Sequence, residues 1–387
     1  MRAILVANDR YLIKYNSRYL VINAETKRIF EALEITNDVY RLSRILNLSV
    51  SAVRKKYRFI ERKINDLLYY PENISLKYPI KLHWKITPEC NLKCRHCYLG
   101  ELTEKKLSAD KILSIGDKIA DSNILELTIS GGEALTVKEL PIVLKKIISK
   151  GILVHIFTNG ILLPKLLSNL DSFTLKKCLE FEVSVDGLEK EHDAIRGKGS
   201  FNKAINGITA ALNLGYQVST NSVISKLNYK SLPKLFVFLK EVGVRTIQFS
   251  HLIDSGRATS DMKLSIQEEM DFMNELEQVV KQKPYNTKLI YTSKVNSIIH
   301  SVSNGKHLVL GREKWKCGAG IGRATIDYQG DVYCCPFWNK SCLGNILENP
   351  LEILWENRNR FLFLKELARL NDQERVCIVA RERVCDE

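Results

Sequence analysis

The strongest constraint on this 387-residue chain is a repeated alternation of short β-rich runs with longer amphipathic runs, which starts at Leu82. Strands separated by helical patterns favour parallel pairing, because the helix returns the chain to the same end of the sheet. The chain is therefore predicted to be of the α/β class. Six such units suit a partial (β/α)6 barrel, whose active site lies at the C-terminal ends of the strands. The predicted strands read LHWKIT, ILELTIS, ILVHIF, FEVSVD, QVSTNSV and TIQFS.

Composition narrows the cellular setting and the partners. No apolar run approaches the length of a membrane span or a signal peptide, so we expect a cytoplasmic location and no membrane partner. In a reducing compartment the ten cysteines favour iron or zinc over disulfides. The net charge of +14 favours an anionic partner but does not choose among nucleic acid, an acidic peptide and a phosphorylated metabolite.

Three regions are predicted along the chain. Residues 1–75 combine β-like segments between Tyr11 and Ile22 with three helical patterns, which is the layout of a winged-helix-like module. Residues 76–306 hold the barrel. Residues 307–387 form a region rich in Cys, Gly and aromatic residues.

Three cysteines closely follow the first barrel strand, at Cys90, Cys94 and Cys97. Three thiolates can bind three irons of a cubane cluster and leave the fourth iron open, whereas a structural zinc site needs four closed ligands. An alternative makes His96 the fourth ligand of a zinc knuckle. Since His96 and Cys97 are adjacent, they would hardly fit one tetrahedron. The open cluster is the preferred prediction.

With Tyr98 beside the last thiol, this spacing resembles the signature of the radical S-adenosylmethionine (SAM) superfamily. The resemblance covers about residues 82 to 255. It implies a [4Fe-4S] cluster on the three thiols and SAM bound to the open iron. It also implies reductive cleavage of SAM to a 5′-deoxyadenosyl radical, which abstracts hydrogen from a C–H bond.

Polar and glycine-rich clusters stand at the ends of the second, third and fourth strands. They resemble the SAM-binding motifs of the superfamily, with the Gly-Gly-Glu carboxylate accepting from the SAM ammonium group and a guanidinium pairing with the SAM carboxylate. The alternative is ordinary turn chemistry. No catalytic side chain is predicted. The predicted SAM-binding residues are Tyr98, Gly131, Gly132, Glu133, Asn159, Ser184, Asp186 and Arg196.

The C-terminal cysteines resemble the opening of a SPASM domain, which carries auxiliary iron-sulfur clusters. The pattern is incomplete, because Ala380 stands where a further ligand is expected. A degenerate site or a shortened chain would explain the difference. One auxiliary [4Fe-4S] cluster is predicted, on Cys317, Cys335, Cys377 and Cys385. The remaining thiols are expected to be buried and free, namely Cys178, Cys334 and Cys342.

The N-terminal region resembles the PqqD-like module that recognises leader peptides. In that family a leader segment adds as a strand to the edge of a sheet. The alternative is a DNA-binding winged helix. Its phosphate contacts would come from Arg54, Lys55, Lys56, Arg58, Arg62 and Lys63.

Together the three resemblances predict a radical SAM enzyme that modifies a ribosomally synthesised precursor peptide. The product would be a thioether or carbon-carbon cross-link, or an epimerised residue. The expected partners are the precursor peptide and a reducing protein such as flavodoxin or ferredoxin, and not nucleic acid. The alternatives are a radical SAM maturase of a cofactor or protein side chain and, in another class, a DNA-binding iron-sulfur sensor.

Overall fold

The computed structural model describes residues 3–7, 10–15, 18–23, 27, 46, 48, 78–101, 105–170, 176, 178–281, 287–292, 299–303, 306–310, 319–335 and 341–371. The three N-terminal helical patterns lie outside these residues, apart from single positions. No helix in the described part of the chain is both long enough and apolar enough to cross a membrane.

The N-terminal part folds into a three-stranded antiparallel sheet. Its strands β1 (Ala3–Ala7), β2 (Arg10–Tyr15) and β3 (Arg18–Asn23) pair in the order β1-β2-β3. The sequence predicted β structure only from Tyr11 to Ile22, so β1 was missed. Among the described strands, β1 and β3 each have a single neighbour.

Twelve further strands form one sheet, in which β4 to β10 run parallel and in chain order. The six predicted strands are confirmed as β4 to β9, and β10 adds a parallel strand that the sequence did not predict. The parallel strands are β4 (Lys81–Thr87), β5 (Glu126–Gly131), β6 (Leu153–Thr158), β7 (Leu179–Ser184), β8 (Gln217–Ile224), β9 (Thr246–His251) and β10 (Lys288–Thr292).

Antiparallel strands extend both ends of this sheet. At one end β11 (Ile299–Ser303) and β12 (Lys306–Leu310) follow β10. At the other end β13 pairs parallel with β4 and is followed by β14 and β15. The predicted boundary at residue 306 falls at the start of β12, so the sheet continues across it, and the domain limits stay a prediction. The last strands are β13 (Arg323–Ile326), β14 (Asp331–Tyr333) and β15 (Cys342–Asn345).

Helices cover the apolar face of the parallel strands. In α1 the residues Ile112, Ile115 and Ile119 recur at helical spacing, and this buried stripe packs in the core that contains Trp84 and Ile129. The helices are α1 (Ala109–Asp121), α2 (Leu140–Ser149), α3 (Leu163–Leu167), α4 (Glu189–Arg196), α5 (Ser200–Asn213), α6 (Leu232–Val242), α7 (Ile266–Lys281), α8 (Leu351–Trp355) and α9 (Arg358–Asn371).

The other face of the sheet, which we call the inner face, is polar. Residues paired in register on neighbouring strands point to the same face. Lys85 pairs with Ser130, Phe157 with Glu182, and Glu182 with Ser219. Ile129 pairs with Ile156 on the parallel strands β5 and β6. The next residues along these strands, Ser130 and Phe157, are therefore also in register. The inner row is therefore Lys85, Ser130, Phe157, Glu182 and Ser219.

Glu182 is the titratable group of most interest in the inner row. It is partly buried, and no hydrogen bond or ion pair joins it to another described residue. Burial raises the pKa of Glu182 to about 7, although the nearby His155 lowers it somewhat. The carboxyl group therefore changes its charge near neutral pH.

Replacing Glu182 with Gln is expected to stabilise the protein increasingly as the pH rises. Because the folded pKa lies above the usual 4.5, the protonated side chain contributes stability at low pH, and this contribution is lost as the pH rises through about 7. Between pH 5.5 and 8.5 the advantage of E182Q in the free energy of unfolding should grow by about 2 kcal/mol at most. Anaerobic thermal unfolding across this range measures it.

The exposed Glu275 on α7 provides the matched control. E275Q removes the same charge without burial, so its effect should stay small and flat with pH. A pH-independent difference between E182Q and the unmodified protein would contradict the raised pKa.

Candidate active site

The three predicted cluster ligands lie in one loop at the C-terminal end of β4. We call residues 90–100 the cysteine loop. Burial, together with the negative charges of Glu133, Cys94 and Cys97, raises the pKa of Cys90 to about 11. The other two thiols therefore lie close enough to Cys90 to disfavour its ionisation. A positively charged centre bound among them would stabilise all three as thiolates.

Asp186, which follows β7, ties the cysteine loop to the barrel. Its carboxylate is fully buried and accepts from Arg196 Nε at 2.5 Å and from the Val223 backbone N–H at 2.8 Å. Burial by itself would raise the pKa of Asp186, but Arg196 and His96 outweigh it and hold the pKa well below the usual range. The carboxylate is thus ionised at physiological pH.

His96 completes this network from within the cysteine loop. Its Nε2 lies 2.7 Å from Asp186 Oδ2. Because an ionised carboxylate only accepts, His96 Nε2 donates this hydrogen bond. Nε2 is therefore bound to Asp186 and not available to a zinc ion, whereas the buried Nδ1 has no hydrogen-bond partner among the described residues. The zinc-knuckle alternative would need Nδ1 as its ligand atom.

Arg196 connects the same network to a thiol. Its Nη1 lies 3.9 Å from Cys94 Sγ. Burial raises the pKa of Cys94, and the Arg196 charge opposes that shift. In this structure the guanidinium thus binds Asp186 and contacts Cys94. Its pairing with the SAM carboxylate stays a prediction.

The two glycines after β5 allow close backbone packing against the segment that leads into Cys90. A Cβ at Gly131 would lie 2.3 Å from the Thr87 carbonyl oxygen, and one at Gly132 would lie 2.4 Å from the Glu89 carbonyl oxygen. The Gly132 N–H donates to Thr87 and the Glu133 N–H to Glu89, each at 2.8 Å. These glycines therefore support the start of the cysteine loop, and their approach to SAM stays a prediction.

Glu133 is buried and already bound by protein donors. It accepts from Thr158 Oγ1 and from the Asn159 N–H, both at 2.7 Å, and from the Leu135 N–H at 3.1 Å. Asn159 Nδ2 in turn donates to Asn91 Oδ1 at 2.7 Å. The predicted SAM ligands Glu133 and Asn159 thus also join the ends of β5 and β6 to the cysteine loop.

Tyr98 and Ser184 are the remaining predicted SAM contacts. Tyr98 lies in the cysteine loop, and burial raises its pKa to about 12. Ser184 ends β7 on the inner face, in register with Asn221. The structure thus gathers all eight predicted residues around the strand ends and the cysteine loop. Their contacts with SAM are left as predictions.

Sequence reasoning missed two features of the site. It weighed His96 only as a zinc ligand, although the side chain binds Asp186. It also passed over the loop of residues 252–258 after β9, whose Arg257 contacts the cysteine loop. A polar Ser-Gly-Arg loop carries no local signal of such a long-range contact.

The C-terminal cysteines are described only in part. Cys317, Cys377 and Cys385 lie outside the described residues. Cys335 is buried. Cys334 is also buried, and burial raises its pKa to about 12. Cys178 and Cys342 are only partly buried, which corrects the expectation that both are buried thiols.

A parallel barrel with three cysteines in one loop at the C-terminal end of its first strand is the arrangement typical of radical SAM enzymes. The residue types suit a [4Fe-4S] cluster, because the loop supplies three thiols and the Arg196 guanidinium lies 3.9 Å from one of them, Cys94.

Comparison with known proteins agrees with this class. Residues 84–239 match the family model of the radical SAM superfamily, and residues 317–380 match the SPASM model, an iron-sulfur cluster-binding domain. The chain therefore contains a radical SAM domain and a SPASM domain. Its cofactors are iron-sulfur clusters and SAM.

Several known proteins are similar to this chain. The Fe-coproporphyrin III synthase of Methanosarcina barkeri is 27% identical over 70% of this chain and 72% of its own length. The mycofactocin maturase MftC of Mycolicibacterium smegmatis is 27% identical over 76% and 74%. The crystal structure of SuiB from Streptococcus suis superimposes with a TM-score of 0.61 at 16% identity, covering 93% of this chain and 90% of SuiB. SuiB has also been solved bound to SAM and bound to the precursor peptide SuiA.

Replacing Cys94 with Ala is expected to abolish SAM cleavage, because the open iron stays in place only when all three thiolates hold the cluster. The measurement is 5′-deoxyadenosine formed by reconstituted, anaerobically reduced protein. C178A is the matched control, since Cys178 lies just before β7 and outside the cysteine loop, and it should retain activity. SAM cleavage by a triple variant of Cys90, Cys94 and Cys97 would refute the assignment.

Iron content is expected to be about eight atoms per chain, from one cluster in the barrel and one in the C-terminal region. The triple variant should retain about four. Iron and sulfide analysis with electron paramagnetic resonance (EPR) measures both. About four iron atoms in the unmodified protein would show that the C-terminal region holds no cluster, and about twelve would reveal ligands beyond the predicted set.

Proposed function

We propose that this radical SAM enzyme modifies a ribosomally synthesised precursor peptide, forming a cross-link or an epimerised residue. The observation that carries the proposal is the antiparallel sheet β1-β2-β3 ahead of the barrel. Its outer strands each have one neighbour among the described strands. An extended leader segment can add to such an edge through backbone hydrogen bonds, while alternate side chains provide selectivity.

The comparisons support this proposal at the level of fold and relatives. SuiB, whose fold matches along nearly the whole chain, binds a precursor peptide. MftC, which is a maturase, aligns with this chain over 74% of its own length.

Cofactor synthesis is the second candidate, and the similarity to Fe-coproporphyrin III synthase favours it. The inner face carries acidic groups on β7 and the basic Lys85 on β4, so its charges do not exclude a substrate with carboxylates. Glu182 lies in the inner row, and Glu180 points to the same face, where its Oε2 lies 3.0 Å from His155 Nδ1. Burial, with help from Lys85 and Arg323, lowers the pKa of His83 to about 4, so this imidazole is neutral. A porphyrin carboxylate would therefore meet acidic groups at β7 and a basic group, Lys85, at β4.

The chain's own residues hold and orient the reactants. When bound, the cluster and SAM supply a 5′-deoxyadenosyl radical that abstracts hydrogen from the substrate. Cys90, Cys94 and Cys97 hold the cluster, while the Asp186 network fixes the loop that carries them. The inner face orients the substrate segment below the strand ends and excludes competing hydrogen donors. A flavodoxin or ferredoxin in the cytoplasm would supply the electron.

Removing residues 1–75 is expected to leave SAM cleavage nearly unchanged and to reduce peptide modification by at least about a hundredfold, because leader docking raises the effective concentration of the substrate segment. The substrate tested is a candidate precursor peptide with an N-terminal leader segment. Mass spectrometry follows modification, and 5′-deoxyadenosine follows SAM cleavage in the same reaction.

The truncation assay and a binding assay together separate leader docking from DNA binding. Undiminished peptide modification without residues 1–75 would contradict leader docking. A DNA-binding sensor would instead bind duplex DNA with an affinity that falls steeply with salt, since phosphate contacts release counterions. Binding of the full chain to the peptide and to duplex DNA, each at low and high salt, decides between them.

A further inference from the structure

The loop of residues 252–258 contacts the cysteine loop mainly through one arginine. Arg257 Nε donates to the Cys94 carbonyl oxygen and Nη1 to the Gly100 carbonyl oxygen, both at 2.8 Å. The Arg257 backbone N–H donates to the Cys97 carbonyl oxygen at 2.9 Å. One residue therefore binds three carbonyls of the cysteine loop, and two of them belong to cluster ligands.

The residues beside Arg257 bring the two loops into backbone contact. Ser255 Oγ donates to the Tyr98 carbonyl oxygen at 3.1 Å. Gly256 has a φ of +65°, and a Cβ there would lie 2.4 Å from the Gly100 nitrogen and 2.5 Å from the Cys97 carbonyl oxygen. Only glycine fits this approach. Each of the three residues in the sequence Ser-Gly-Arg therefore contacts the cysteine loop.

We infer that Arg257 is a positioning residue for the radical SAM cluster, which fixes Cys94 relative to Cys97 and places a permanent positive charge beside the cluster. Outer partners of metal ligands commonly control both metal retention and redox properties. The planar guanidinium binds two carbonyls at once, which a lysine ammonium cannot reproduce with the same geometry. The inference rests on the cluster assignment but not on the identity of the substrate.

Two substitutions separate the geometric role from the electrostatic role. R257K keeps the charge and loses the two-pronged contact, whereas R257M loses both. Both variants should release iron from the SAM-responsive cluster to a chelator about tenfold faster than the unmodified protein. Only R257M should shift the midpoint potential of that cluster to more negative values, because the reduced cluster loses a stabilising positive charge.

The measurements use the full reconstituted chain under anaerobic conditions. EPR identifies the barrel cluster as the one whose signal changes when SAM is added, and bathophenanthroline captures the released iron. R245M is the matched control, since Arg245 is exposed just before β9, and it should match the unmodified protein in both measurements. Circular dichroism of the metal-free variants tests folding, and R257K decides the geometric role if R257M does not fold.

Unchanged iron release and an unchanged SAM-responsive signal in R257K would overturn the positioning role. An unchanged potential in a folded R257M would overturn the electrostatic role. If the unmodified protein shows no SAM-responsive signal, the cluster assignment itself is wrong and the inference falls with it. None of these outcomes depends on peptide modification, so failure of the proposed function would be recognised separately.

Discussion

The site depends on one buried charge, the carboxylate of Asp186. An ionised carboxylate without water requires strong compensation, which Arg196, His96 and the Val223 N–H provide. The partners come from the cysteine loop, α4 and the end of β8, so the same interaction that stabilises the charge also fixes these parts relative to one another. Loss of one partner would leave a buried charge uncompensated and release the loop that carries the cluster.

The cysteine loop is held from several sides by residues that are distant in sequence. Gly132 and Glu133 bond the backbone just before it, Asn159 bonds Asn91 within it, and Arg257 binds its far end. Several of these residues are also the predicted SAM contacts. Loss of SAM cleavage after mutation of Glu133 or Asn159 therefore does not by itself demonstrate a contact with SAM, because the loop would be disturbed as well.

The sequence predicted the parts of the fold that depend on local pattern. The runs from LHWKIT to TIQFS are the strands β4 to β9, because alternation with helices determines parallel pairing. It did not predict β10, which lies beyond the last run recognised as a strand. The contact of His96 with Asp186 joins residues 90 positions apart, and the contact of Arg257 with Cys94 joins residues 163 apart. Only the folding of the chain into the sheet brings such pairs together, so no spacing rule in the sequence reveals them.

The inner row carries groups of opposite charge on either side of an apolar side chain. Lys85 lies at the β4 end of the inner row, with its Nζ 5.9 Å from the Tyr328 ring centroid, whereas Glu182 lies across the row on β7. Phe157 stands between them and remains 40% exposed. A ligand carrying an apolar group between groups of opposite charge would complement this row. Because burial raises the pKa of Glu182 to about 7, a basic group bound beside it would lower that pKa, and binding near neutral pH would release protons from the carboxyl group.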